Sequence, residues 1–304
     1  MSEPSQSAER LRFIEFFAGI GGFAACCEGH EIVAAIDIDQ AAKKVYQLNF
    51  SHAYYNKSLE SLGSDWLETL QANAWWMSPP CQPYSRRGHR RDRKDPRSRG
   101  LENLISLIPR LRPRWILLEN VVGFAKSEMF ERLQRILQQT AYQWQTLEVC
   151  PSHWGWPNRR PRFYLMASTQ RLPIWRTPPS YQLKWRELIT QELSAELRVP
   201  ESFMERFGKS LDRLTSARDE EPTACFGSSY GVASSGSGSY VEFEPDRYRR
   251  FSPEEMLRLL GFPSSFKLDG SSSLKKQWSL AGNTLSLPVV RYLMQHLPQA
   301  AGCS

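Results

Sequence analysis

Residues 11–39 constrain the fold more than any other stretch. Phe13-Ile14-Glu15-Phe16-Phe17 reads as a short buried strand. It runs into Ala18-Gly19-Ile20-Gly21-Gly22-Phe23, whose glycines permit a tight turn and close approach of a ligand to the backbone. Ala24-Ala25-Cys26-Cys27-Glu28 is expected to continue as a helix, and Glu31 to Ile36 as a second strand ending in Asp37-Ile38-Asp39. Strand, glycine turn, helix, strand and acid form the nucleotide-binding half of a doubly wound α/β sheet. The glycines alone are equally compatible with a plain tight turn. The acid adds an acceptor for ribose hydroxyls, and Ile38 an apolar surface for a purine face. The phosphate-binding spacing G-x-G-x-x-G is absent, which favours a nucleoside-type cofactor over NAD.

A second apolar run, Ala74-Trp75-Trp76-Met77, predicts a buried strand that stops at Ser78-Pro79-Pro80-Cys81-Gln82-Pro83. A strand ending at two prolines presents one thiol, that of Cys81. Between Arg86 and Arg99 lie eight basic residues (Arg86, Arg87, Arg90, Arg91, Arg93, Lys94, Arg97, Arg99) against Asp92 and Asp95, so this loop carries +6 of the chain's net +7. A solvated charged loop is one reading. Its position directly after the candidate nucleophile favours a polyanionic substrate. Arg114-Trp115-Ile116-Leu117-Leu118 is another buried parallel strand, and it delivers Glu119-Asn120-Val121 to the strand end where such sheets place ligands. Asn120 also suits a helix N-cap. Arg160 and Arg162 flank Pro161 before the strand Phe163 to Ala167. Alternate residues of an extended segment share a side, so both guanidiniums are expected in one cleft, with surface arginines as the alternative.

The 304 residues and 41% hydrophobic content suffice for one large domain or two unequal ones. After Ala167 the chain becomes Pro-, Trp- and charge-mixed, with an amphipathic helix expected over 183–197 and a Gly/Ser-rich stretch over 227–240. The expected division is therefore a catalytic domain of residues 1–167 and 279–304, and a smaller domain of residues 168–278. Ser252-Pro253-Glu254-Glu255 predicts a capped helix stopping at Gly261, and the tail a Gly282-Asn283 turn followed by a helix to His296. No apolar run approaches the roughly 18 residues of a membrane span, and the polar first dozen residues show no signal-peptide pattern. The six cysteines lack C-x-x-C spacing, so neither a metal site nor a disulfide framework is indicated. A reduced cytoplasmic or nuclear setting follows.

Phe17-Ala18-Gly19-Ile20-Gly21-Gly22, Pro79-Pro80-Cys81-Gln82, Glu119-Asn120-Val121, Arg160-Pro161-Arg162 and Gly282-Asn283-Thr284 resemble, in order and over nearly the whole chain, the motifs of the cytosine-5 methyltransferase family. The full runs Met77–Pro83, Ile116–Val121 and Gly155-Trp156-Pro157-Asn158 are similar to the tRNA (cytosine-38-C5)-methyltransferase class, also called DNA methyltransferase-2. Cys225-Phe226 followed by Tyr230-Gly231 resembles that class's Cys-Phe-Thr segment, with Gly227 in place of threonine. That departure falls on target discrimination and leaves the chemistry intact.

The resemblance implies a class I S-adenosylmethionine-dependent methyltransferase (Rossmann-like) domain and a smaller target-recognition domain. S-adenosylmethionine would sit at the turn Phe17, Ala18, Gly19, Ile20, Gly21 and Gly22, with Asp37 on the ribose and Ile38 near the adenine. Pro79 would line the site, and Asn283 to Ser286 would close it. Lys57-Ser58 stands where many DNA enzymes carry an acid near the adenine, and the tRNA class shares that replacement, which places Ser58 in the site. Gln82, Arg86, Arg87, Arg90, Arg91, Cys225 and Phe226 would contact the substrate, an anticodon stem-loop of tRNA-Asp or a related tRNA. A monomer is expected, and weak action on DNA is left open.

Cytosine C5 is a poor nucleophile, and adding a thiolate at C6 makes C5 enamine-like. Cys81 is the expected nucleophile, favoured as thiolate by neighbouring arginines. Glu119 would contact N3 and the exocyclic amine. Arg162, with Arg160, would hold the carbonyl oxygen as it gains charge. Water or hydroxide would remove the C5 proton. A DNA cytosine-5 methyltransferase is the alternative, but the roughly 80 residues between Ala167 and Phe251 are few for reading a DNA site. A non-catalytic nucleic-acid-binding protein is the third reading, opposed by the intact Cys81, Glu119, Arg160 and Arg162.

Overall fold

The computed structural model describes residues 10–84, 92–190, 194–232 and 237–298. By internal contacts the chain divides into two units, one of Met1–Val149, Pro161–Thr177 and Val290–Ser304, the other of Cys150–Arg160 and Pro178–Val289. The sequence boundaries differ: residues 150–160 and 279–289 fall in the second unit, and residues 168–177 in the first.

The first unit is built on a seven-stranded sheet of β1 (Arg12–Phe16), β2 (Glu31–Asp37), β3 (Tyr54–Asn56), β4 (Ala74–Met77), β5 (Trp115–Asn120), β6 (Gln143–Val149) and β7 (Arg162–Ser168), in the order β3-β2-β1-β4-β5-β7-β6. Strands β1 to β5 pair in parallel, and β7 runs antiparallel to both β5 and β6. The chain leaves β1 toward β2 and β3, then returns to β4 on the other side. The carboxyl ends of β1 and β4 therefore flank the topological switch point, where open α/β sheets bind ligands. Every residue of β4 and β5 is buried, as expected for central strands covered on both faces. Helices α1 (Gln40–Asn49), α2 (Ser64–Thr69), α3 (Arg99–Leu111) and α4 (Glu128–Gln139) follow the strands. Ile14, Phe16, Trp75, Met77, Ile116 and Leu118 share one core with the buried faces of α3 and α4, each such side chain contributing about 2 kcal/mol on burial.

The expected helix at residues 24–28 is a single 3₁₀ turn, Ala24–Cys26. Gly29 takes φ +77°, so too few residues remain to recover the cost of starting an α-helix.

Among the described acids of this unit Glu15 is the most buried, at 1% exposure within β1. Burial pushes its carboxyl up to about 8, opposed by hydrogen bonds from the Tyr46 hydroxyl and the Ala24 and Phe23 amides. The Tyr46 hydroxyl lies 3.1 Å from Glu15 and 3.1 Å from His52 Nδ1. Since Glu15 keeps its proton to a higher pH folded than unfolded, the native state binds more protons through this window. Stability should therefore fall as pH rises from about 4.5 to 8. In Glu15→Gln that loss disappears. Urea titrations should show the variant gaining on the parent by up to ~1.4 kcal/mol per pH unit, levelling off above pH 8. A constant difference across this range would refute a proton on Glu15.

The second unit contains α5 (Glu201–Phe207), β8 (Asp212–Leu214), β9 (Ser239–Glu244), β10 (Arg247–Arg250), α6 (Pro253–Leu259) and α7 (Leu274–Asn283); α8 (Leu287–Met294) follows α7. Its sheet has the order β10-β9-β8. The amphipathic stretch 183–197 contains 3₁₀ turns at Trp185–Leu188 and Ala195–Leu197. Phe226, Tyr230, Phe251 and Trp278 form a buried aromatic cluster. Among the described residues no helix is long and apolar enough to cross a membrane.

Candidate active site

The turn after β1 is fixed by the neighbouring strand. Ala18 N–H donates to Ile36 O (3.1 Å), and Gly19 N–H to Asp37 Oδ2 (2.9 Å). Phe17 takes φ +57°, Gly19 +52° and Gly21 +92°. A Cβ on Gly21 would lie 2.4 Å from the Phe50 ring, whereas one on Gly19 would meet nothing within 4 Å. Gly21 is thus needed for packing, and Gly19 opens a space. Ala18 and Ile20 are buried at 5% and 1% exposure, so this turn offers a ligand backbone rather than side chains. Asp37 Oδ1 accepts from Asp39 N–H (2.9 Å). Ile38 N–H is a third backbone donor to this carboxylate, and since a carboxylate has about four acceptor positions, some acceptor capacity remains. Burial raises the Asp37 carboxyl, while the Asp39 and Gly19 amides pull it back. Asp39 itself caps α1 through Ala41 and Ala42 N–H. Ile38 is 68% exposed at the strand end. Ser58 caps the turn Leu59–Ser61, accepting from Glu60 N–H (3.3 Å).

The loop after β4 is tied to strand ends on both sides. Ser78 Oγ donates to Phe17 O (3.2 Å) and Asn120 Nδ2 to Pro79 O (3.1 Å). A Cβ at Gly123 would lie 2.5 Å from Tyr84 O, so only glycine lets the segment after β5 approach this loop so closely. Asn120 therefore joins two strand ends, and the N-cap of the following 3₁₀ turn is Val121, which makes no side-chain cap. Cys81 is half-buried, while Cys26 and Cys27 are buried. Burial pushes the Cys26 thiol up to about 12 and raises that of Cys27 as well. Arg97 is a neighbour that the sequence analysis placed in the basic loop without singling out. Asp95, whose side chain is 7% exposed, grips Arg97 through Nε (2.9 Å) and Nη2 (2.6 Å). This grip raises the Arg97 guanidinium, and a thiolate at Cys81 would add to the effect. The spacing Asp-x-Arg was the available signal. Arg86, Arg87, Arg90 and Arg91 lie outside the described residues.

Glu119 is the penultimate residue of β5, at 7% exposure. Arg162 begins the antiparallel neighbour β7, and its Nε stands 3.0 Å from Glu119 Oε1, with side-chain exposures of 12% and 9%. Arg162 Nη1 also donates to Pro161 O (2.8 Å). A carboxylate and a guanidinium this far from water interact more strongly than an exposed pair and cost more to break.

Two expectations are corrected in the second unit. Arg160 does not open onto a cleft. It is 3% exposed, and its guanidinium donates to the carbonyls of Phe226 (3.2 Å), Gly282 (3.4 Å) and Thr284. It is a buried clamp on backbone, because β7 begins only at Arg162 and the alternation of a strand does not reach residue 160. Phe226 does not present its ring either: at 1% exposure it packs against Tyr230 and Phe251. The half-buried Cys225 holds its sulfur 3.8 Å from Arg160 Nη1. Asn158 Nδ2 donates to Thr223 Oγ1 (2.8 Å) and Ala224 O (3.2 Å), which fixes the segment before Cys225. Asn283 is exposed at the end of α7. Ser286 is 1% exposed and its Oγ has no partner among the described residues. Gln82 and Pro80 are half-buried, Pro79 and Gly22 buried.

The family model for C-5 cytosine-specific DNA methylase matches residues 11–205 and 215–299. The chain belongs to this family. It is 29% identical to a tRNA (cytosine(38)-C(5))-methyltransferase of Schizosaccharomyces pombe, over 96% of this chain and 98% of that one. A DNA (cytosine-5)-methyltransferase of Dictyostelium discoideum is 27% identical, covering 95% and 94%. Among solved structures, a methyltransferase of Entamoeba histolytica superposes with a TM-score of 0.85 at 28% identity, covering 95% and 98%.

Cytosine-5 methyltransferases use S-adenosylmethionine, and the first unit fits its nucleoside half. The open space at Gly19, the remaining acceptor capacity of Asp37 and the exposed Ile38 match a turn, a ribose diol and a purine face. Fold class and enzyme class thus agree with the sequence analysis.

Proposed function

We propose that the protein methylates C5 of cytosine 38 in a tRNA anticodon loop, with Cys81 as the nucleophile. The chemistry is carried by the desolvated Glu119–Arg162 pair, whose Glu119 adjoins the Asn120 that anchors the Cys81 loop. The choice of tRNA rests on the near full-length similarity to a tRNA (cytosine(38)-C(5))-methyltransferase. Bound S-adenosylmethionine supplies an electrophilic methyl carbon.

Cys81 adds as thiolate to C6 of the flipped cytosine, and the electron pair moves toward the carbonyl oxygen and N3. Arg162 stabilises the oxygen, and Glu119 engages N3 and the exocyclic amine. After C5 has gained its methyl group it loses its proton to water or hydroxide, and Cys81 leaves C6, restoring the ring. Arg160 acts at one remove, by fixing the backbone of residues 226, 282 and 284. Unpairing costs little in an RNA loop, which favours such a target. The protein works as a monomer in a reducing compartment such as the cytoplasm, where a thiol nucleophile survives.

The test is methyl transfer from labelled cofactor to individual tRNA transcripts and to DNA, followed by bisulfite mapping. Label at cytosine 38 of tRNA supports the proposal, and label in DNA alone overturns it. A second measurement concerns the basic loop. Replacing Arg86, Arg87, Arg90 and Arg91 with alanine should weaken tRNA binding and flatten the slope of log K against log salt by up to about 3. An unchanged slope would return the loop to a solvated surface.

A further inference from the structure

The second unit contains a pocket of about 330 Å³ between the β9–β10 hairpin and residues 195–204. Its frame is hydrogen-bonded: Val199 N–H donates to Tyr248 O (2.9 Å), Arg198 bridges Arg249, and Arg250 Nη1 donates to Arg198 O (3.3 Å). Phe243 is half-buried in its lining. The guanidinium carbons of Arg198 and Arg247 lie 5.9 Å and 5.5 Å from the Phe243 ring centroid. Arg247 also pairs with Glu244 (2.5 Å). Arg198, Glu201 and Asp246, all exposed in the lining, make no ion pair among the described residues.

We propose that this pocket takes one unstacked nucleotide of the RNA substrate, with guanosine as the preferred base. The proposal rests on the tRNA reading above. The volume falls at the small end of ligand sites. An aromatic face and guanidinium planes are what unstacked RNA bases stack on. Arg198 and Arg247 supply charge-assisted donors for a phosphate. The Glu201 and Asp246 carboxylates accept hydrogen bonds only, which suits the N1–H and N2 amino group of guanine. The two carboxylates offset the two guanidiniums of the lining, so a phosphate alone gains little net attraction and the contacts to the base must supply the rest.

The full-length protein, with its cofactor site saturated by S-adenosylhomocysteine, is titrated with GMP, guanosine and inorganic phosphate by NMR. GMP should bind saturably in the millimolar range, and more tightly than either fragment. Phe243→Ala and Arg198→Ala should each weaken it about tenfold, while Phe243→Tyr, which keeps the stacking face, should bind as the parent does. In methylation assays the Ala variants should raise KM for tRNA about five- to tenfold at constant kcat. GMP affinity that ignores these substitutions, or binding of phosphate as tight as GMP, overturns the proposal. If the parent protein does not methylate tRNA, the functional reading fails, and the GMP titration still decides the pocket.

Discussion

Cys81→Ala should abolish methyl transfer while leaving cofactor binding intact. Without the thiolate there is no adduct at C6 and C5 stays aromatic, so the loss should exceed about 10⁴-fold, the scale seen when a covalent nucleophile is removed. Cofactor affinity should change by less than twofold, because the turn that fits the nucleoside is built from β1 and β2. The other described cysteines provide controls. Cys26 and Cys27 are buried with raised thiols, and Cys26→Ala should retain activity in proportion to the folded protein that remains. Radiolabelled transfer and calorimetry on the same preparations separate the two effects. Residual turnover in Cys81→Ala within tenfold of the parent would remove Cys81 from the mechanism.

Glu255→Ala should destabilise the second unit by ~4 kcal/mol. Glu255 is fully buried and meets Arg249 in a two-point ion pair, Nη1 to Oε2 at 2.7 Å and Nη2 to Oε1 at 3.0 Å. It also accepts from Thr190 N–H (2.8 Å), Thr190 Oγ1 (3.1 Å) and Ser252 N–H (2.8 Å). Truncation leaves the Arg249 guanidinium buried without its carboxylate, which costs ~3–5 kcal/mol, and removes half of a capping box. The double change Arg249→Met with Glu255→Leu should recover most of that loss, since no charge is then stranded. Denaturant titration of the three proteins measures the cycle. A single variant as stable as the parent would show that the knot carries no net stability.

What was legible in the sequence depended on the distance over which a residue is held. The apolar runs Ala74–Met77 and Trp115–Leu118 announced buried parallel strands, because both faces of a central strand need apolar side chains. Glu119 and Asp37 stand at strand ends and Cys81 in the loop that follows β4, so placing the strands placed them along the chain too. Arg160 and Arg162 are the same residue type two positions apart, yet their partners sit at Phe226, Gly282 and Thr284 for one and at Glu119 for the other. No local pattern encodes partners 43 to 124 residues away. Strands β8 and β10, Asp212–Leu214 and Arg247–Arg250, are three and four residues of mostly charged side chains. Their pairing with β9 defines them, and no alternation of that length rises above background. The capping box at Ser252 and Glu255 was readable, but the burial of Glu255 against Arg249 was not.

The Asn120–Pro79 bond and the close approach at Gly123 bear on when selection happens. They tie the thiol-bearing loop to the carboxylate-bearing strand before any RNA arrives, so the two are held together without it. Nothing about the reacting pair then has to be assembled by the right substrate, and a wrong nucleic acid meets the same chemistry as a right one. Any cytosine that is brought to this corner should react. Fidelity must therefore be exercised upstream, in which nucleotide the rest of the protein allows to leave its stack and enter. An enzyme arranged in this way makes its errors at delivery, and changes that loosen RNA docking should broaden its targets before they slow its chemistry.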